Sequence, residues 1–91
     1  MIIYHADFGM WDAYIAEETN QGIVISKGYE IMAIGSGGTF FPSVHPGFKR
    51  YEVDEMQFRE LMNMGKESLE FQKRFHEKTV AFMNSMQPVT S

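Results

Sequence analysis

The sequence predicts an α+β domain, with a small antiparallel β-meander first and an amphipathic helical region after it. Two patterns and one corner carry that prediction. Before residue 35, apolar side chains alternate with period two, as on a half-buried strand. After residue 54 they recur at helical spacing. Between the two lies Gly35-Ser36-Gly37-Gly38, three glycines in four residues, a stretch built to turn the backbone sharply.

The elements follow in order. Met1 to His5 supplies the β-formers Ile2, Ile3 and Tyr4. Asp7-Phe8-Gly9 is a turn. In Trp11 to Glu18, Trp11, Ala13 and Ile15 alternate with Asp12, Tyr14 and Ala16, which predicts a strand. Asn20-Gln21-Gly22 then closes a hairpin into Ile23-Val24-Ile25. Lys27-Gly28 marks a second turn or a bulge before the strand that starts at Tyr29. That last strand ends apolar on both faces, in Ile31-Met32-Ala33-Ile34, and so expects cover from both sides. Residues 39–53 are broken by Pro42, Pro46 and Gly47 but rich in aromatics. They read as an ordered loop, with Lys49 to Val53 pairing as an edge strand. If exposed, Phe40, Phe41, Phe48 and Tyr51 make a binding patch.

Asp54 is a natural N-cap with Gln57 at N3, and Val53 and Phe58 stand at the staple positions. Glu55–Arg59 and Glu70–Arg74 are spaced as i,i+4 ion pairs. Pro88 ends the helical region, and the last residues are expected to fray. On one continuous helical wheel, eleven apolar residues from Phe58 to Met86 share one half, with His76 among them. An unbroken helix over 54–86 would run about 50 Å at 1.5 Å per residue. A domain of this size is only about 30 Å across. Either Gly65 breaks the helix into a hairpin, or the helix overhangs and finds a partner. The width of the apolar arc favours the second, with Phe71, Phe75, Phe82 and Met86 as the self-association face of a homo-oligomer.

Ninety-one residues make one domain, with a strand-rich part over 1–53 and a helical part over 54–87. At 44% hydrophobic and 14% aromatic, the chain is too apolar to be disordered. No run approaches the roughly 20 apolar residues of a membrane span. The start, MIIYHADFG, lacks the positive region of a signal peptide. Cysteine is absent, which excludes disulfides and thiolate metal sites. A cytoplasmic location is the expectation. The net charge of −4 is unevenly placed: residues 1–45 hold Asp7, Asp12, Glu17, Glu18 and Glu30 against Lys27. Direct nucleic-acid binding is disfavoured, since phosphates need a basic face. A basic protein partner suits the acidic half better.

Signals for chemistry are sparse. His5, His45 and His76 are too scattered to propose a metal site, and no cofactor is expected. Ser36 lies in Ile34-Gly35-Ser36-Gly37-Gly38, without the spacing of a nucleophile elbow or an assignable base. The stretch Ile25 to Gly38, ISKGYEIMAIGSGG, resembles a segment of the proteasome β-type and HslV peptidases, which are N-terminal nucleophile hydrolases. The resemblance implies a strand running into a loop of Gly35, Ser36, Gly37 and Gly38, with Ser36 in the place of a serine beside the catalytic threonine. It also implies sheets between helix layers, assembled into rings. The chain opens Met1-Ile2-Ile3, with no threonine to expose, so the implied relative is truncated and inactive. The main expectation is a small non-catalytic binding or assembly module, of the kind that inhibits a partner by occupying its site.

Overall fold

Ile2–Asp7 (β1) and Trp11–Ala16 (β2) form the first hairpin, with Ile3 opposite Ala16 and Asp7 opposite Asp12. The computed structural model describes residues 1–28, 30–36, 45–64 and 72–89. Gly9 turns the hairpin with φ of +89°, and its N–H donates to Asp7 Oδ1 at 2.8 Å. A side chain would resist that left-handed backbone. Gln21–Ser26 (β3) pairs with β2, and Ile31–Ser36 (β4) pairs with β3. The β2–β3 turn sits earlier than expected, over Glu17 to Asn20. Asn20 takes the positive φ there, and Gln21 and Gly22 already belong to the strand. Where Val24 pairs with Ala33 and Ile25 with Ile31, β4 carries one extra residue, a β-bulge.

Lys49–Glu52 (β5) joins the other side of β1, and Gln87–Pro88 (β6) closes the sheet in the order β4-β3-β2-β1-β5-β6. All pairings are antiparallel. Five strands have four or six residues and the sixth has two. Three expectations are corrected here. Lys49 to Glu52 is not an edge strand, since β1 and β6 flank it. The helical part is not the end of the fold, because a strand follows it. Pro88 does not fray: it pairs opposite Tyr51, and Val89 N–H donates to the Arg50 carbonyl at 3.1 Å. Proline suits this outermost strand, where a missing N–H costs no ladder bond.

The helical region is two helices, Glu55–Met64 (α1) and Gln72–Ser85 (α2), not one. A single helix of about 50 Å would exceed the molecule's longest dimension of 38 Å. Residues 65–71 are not among the described residues, so the role assigned to Gly65 lies outside them. The N-terminal signals of α1 form as expected. Asp54 Oδ1 accepts the Gln57 N–H at 3.0 Å, and Val53 and Phe58 are both buried.

Both helices pack on one face of the sheet. The strand registers place Ile3, Tyr14, Ala16, Ile23, Ile25 and Tyr51 on that face. These residues share a cluster with Phe58, Leu61 and Met62 of α1 and with Phe75 and Phe82 of α2. The Phe82 ring meets Tyr14 at 5.6 Å and Phe58 at 6.0 Å between centroids. The buried stripe of α2 is Phe75, Thr79 and Phe82, spaced i, i+4, i+7. His76 is exposed, so its expected place inside the apolar arc is wrong. Once the helix divides, α2 takes its own rotation about its axis, and a wheel drawn through both helices loses phase.

Candidate functional site

The end of the sheet at the β1–β2 turn carries two of the three mostly exposed large hydrophobics among the described residues, beside a linked set of charges. Phe8 is 61% exposed and Met10 73%, on either side of Gly9. The turn is held shut by the Phe8 N–H, which donates to the Trp11 carbonyl at 2.8 Å. The segment leading into β5 arrives beside it. Phe48 sets its ring edge-on to Phe8 at 5.9 Å, and His45 lies 6.4 Å from Phe48. The β3–β4 turn completes the cluster, with Lys27 N–H bonded to the Met10 carbonyl at 3.0 Å.

Behind this apolar tip stands a polar network. Asp12 is 4% exposed, yet it is fully engaged. Its Oδ1 accepts from His5 Nε2 at 2.8 Å, and its Oδ2 lies 3.1 Å from Lys27 Nζ. Lys27 also reaches Asp7 Oδ2 at 3.1 Å. The His5 ring stacks on Tyr14 at 4.6 Å and meets Tyr51 edge-on at 5.7 Å, which fixes its plane. The Lys27 ammonium is held charged by Asp12 first and Asp7 second, so its pKa is raised. The Asp7 carboxyl is held below the usual carboxylate range, chiefly by the Gly9 N–H and then by Lys27. Buried polar groups of this kind persist when each finds partners. The network braces the turn, and the turn projects Phe8 and Met10.

The opposite face of the sheet carries a second network. Tyr4 donates its hydroxyl to Glu17 Oε1 at 2.7 Å, and Arg50 reaches Glu17 Oε2 at 3.2 Å. The Arg50 guanidinium also lies 6.0 Å from the Tyr4 ring centre. This arrangement raises the Tyr4 pKa and lowers that of Glu17, in each case first through their shared hydrogen bond.

The helices form a different kind of surface on the side away from the sheet. Met56, Arg59, Glu60, Asn63 and Met64 of α1, with Arg74 and Lys78 of α2, line a groove of about 630 Å³. Arg59 pairs with Glu55 at 2.9 Å, and Lys78 pairs with Glu60 across the helices. Met56 is 81% exposed.

The residues singled out from sequence are scattered by the fold. Phe48 reaches the apolar tip, but Tyr51 turns to the core side, and Phe40 and Phe41 lie outside the described residues. Of the self-association face, Phe75 and Phe82 are buried in the chain's own core, 6% and 0% exposed. That is a correction: the sheet covers them, so they offer no surface to a second copy. Met86 packs partly against the same core, and Phe71 lies outside the described residues. Gly35 and Ser36 are not in a loop. They extend β4, opposite Gly22 and Gln21, because pairing continues past Ile34. Gly37 and Gly38 lie outside the described residues. No group of three or more His, Cys, Asp and Glu among the described residues is placed to hold a metal ion. No helix among them is long and apolar enough to cross a membrane.

Sequence reasoning missed Phe8, Met10, His5, Asp12 and Lys27 as a unit. One signal was present. A hairpin turned at Asp7-Phe8-Gly9 must bring Asp7 opposite Asp12 and leave the two residues beside Gly9 at its tip. No protein-family model, curated protein or solved structure matches the chain.

Proposed function

We propose that this is a protein-binding module whose contact surface is the Phe8–Met10–Phe48 end of the sheet. The observation that carries it is the clustering of exposed apolar groups. Three large hydrophobics among the described residues are mostly exposed, and two of them sit in one three-residue turn. Scattered exposed hydrophobics are ordinary, but a braced cluster marks a contact surface. Aromatic residues and methionine are enriched at protein interfaces. Methionine is also soft enough to fit an imperfect hollow.

Asp7 is exposed there but paired with Lys27, and Asp12 is buried against His5 and Lys27, so the charges brace the turn and the apolar groups make the contact. A module of this kind acts by occupying a partner's surface, as an assembly subunit or an inhibitor does. The test is capture from native extract with wild type and a Phe8→Ser, Met10→Ser double variant. Species retained by wild type should be lost from a variant that melts at the same temperature. An unchanged set of retained species would sink the reading.

A further inference from the structure

The two edges of the sheet are finished differently. β6 has two residues and one of them is Pro88. Shortness and proline both stop an edge from pairing further. β4, at the other edge, has six residues, Ile31 to Ser36. None of them is charged and none is proline. The bulge in β4 lies at its start; from Ala33 to Ser36 the register against β3 runs without a break. Among the described residues, no strand pairs with the outer side of β4. A strand turns alternate N–H and C=O groups to each side. β4 therefore presents half of a ladder, and the chemistry that completes it is another extended backbone.

We infer that the outer side of β4 pairs antiparallel with β4 of a second copy, joining two sheets into one. The strand's own composition selects that occupant. An edge that avoids its own image carries a charge or a proline, and β4 carries neither. Glu30, the nearest charge in the chain, sets the direction. Antiparallel pairing about a two-fold axis near Ala33 and Ile34 sends the two Glu30 residues to opposite ends of the shared ladder. Parallel pairing would set them side by side, which is unfavourable. The other edge of each sheet is the blunted β6, so pairing stops at two copies. The contact is isologous, and both helix pairs lie on one face of the joined sheet. It does not depend on the Phe8–Met10 tip, which lies at an end of the sheet and not along its edge. One strand from each copy buries little surface, as in weak interfaces below about 1,200 Å². Association is therefore expected at high micromolar concentration. Backbone hydrogen bonds carry it, so added salt changes it little.

A two-fold contact makes a charge-swap test available. Near the axis, residue 33 of one copy comes within about 8 Å of residue 33 of the other. Like charges there separate the copies and opposite charges rejoin them. Sedimentation velocity is run on wild type, Ala33→Lys, Ala33→Glu, and an equal mixture of the two variants. Wild type should dimerise, each variant alone should weaken roughly tenfold or more, and the mixture should recover a dimer. Hydrogen exchange on wild type needs no variant, and so holds even if a substitution melts early. The β4 amides that face away from β3 should gain protection as concentration rises. A wild type that is monomeric at all concentrations overturns the inference, as do variants that associate like wild type or a mixture no tighter than its parts. Outer β4 amides already protected in dilute protein overturn it as well, because the edge is then covered within one chain. Protection that appears only in cell extract gives the edge to a foreign strand and overturns the second copy as its occupant.

Discussion

Thr79 shows what one side chain tells about packing. Its residue is fully buried on α2, and its hydroxyl has no hydrogen-bond partner among the described residues. A buried unsatisfied hydroxyl costs about 1–3 kcal/mol, and valine has the same shape and a similar helix propensity. Thr79→Val should therefore raise the melting temperature, by about 4–8 °C for each kcal/mol recovered. A lower melting temperature would show that the hydroxyl is satisfied in solution. Titration acts at the same scale. Asp7 and Glu17 have lowered pKa values in the fold. Their stabilisation is complete above the unfolded values near about 4 and is lost as pH falls through the folded ones. Tyr4 and Lys27 are raised, so their contribution is complete below about 10 and is lost as pH climbs through the folded values. Tyr4→Phe removes the donor that lowers Glu17. Thermal melts across pH should show wild type ahead of this variant near neutrality, with the gap narrowing in acid. A gap that stays constant down to pH about 2 would rule out the Tyr4–Glu17 bond as its source.

At the scale of elements, the sheet depends on one close approach. Gly22 stands between β2 and β4, opposite Ile15 and Gly35. A Cβ there would come 2.6 Å from the Tyr14 carbonyl oxygen and 3.0 Å from Ile15 Cγ1. The first is backbone and cannot swing away. Gly22→Ala must push β2 and β3 apart, at a cost of about 1–3 kcal/mol as for other overpacked sites. Chemical denaturation measures this, and a variant as stable as wild type would show that the ladder yields locally. The β1–β2 hairpin is braced differently. Asp12 ties β2 to β1 through His5 and to the β3–β4 turn through Lys27, so three segments move as one behind Phe8 and Met10.

For the whole molecule, the decisive fact is that the helices serve the core with one side and the solvent with the other. Phe82 is fully buried between Tyr14 and Phe58, whereas Phe8 is exposed. Phe82→Glu places a charge in that core without a partner, and the cooperative thermal transition should disappear. Phe8→Ser should leave the transition within about 0.5 kcal/mol of wild type. A folded Phe82→Glu protein would mean that the helices can leave the sheet without unfolding it. The expectation of self-association through Phe75 and Phe82 fails for the same reason: the sheet uses that surface first. What remains outward on the helices includes Met56 and the paired charges Arg59–Glu55 and Lys78–Glu60.

Local rules determined much of this fold from sequence alone. Period-two alternation marked β1 to β3, and the Asp54 cap with its Val53–Phe58 staple marked the start of α1, because each depends on residues a few positions apart. The tertiary structure decided the rest. Gly35 and Ser36 extend β4 because β3 supplies Gly22 and Gln21 as partners. Gln87 and Pro88 become a strand because β5 has a free side to pair with after the helices return the chain. The rotation of α2, which buries Phe75, Thr79 and Phe82 and leaves His76 out, is set by its packing on the core rather than by one periodicity run through both helices. The candidate site is of the same kind. Phe8, Lys27 and Phe48 are far apart in the chain, and only the meeting of two turns and the approach to β5 brings them together. Spacing records what one element does; which surface is left over is known only after every element has taken its place.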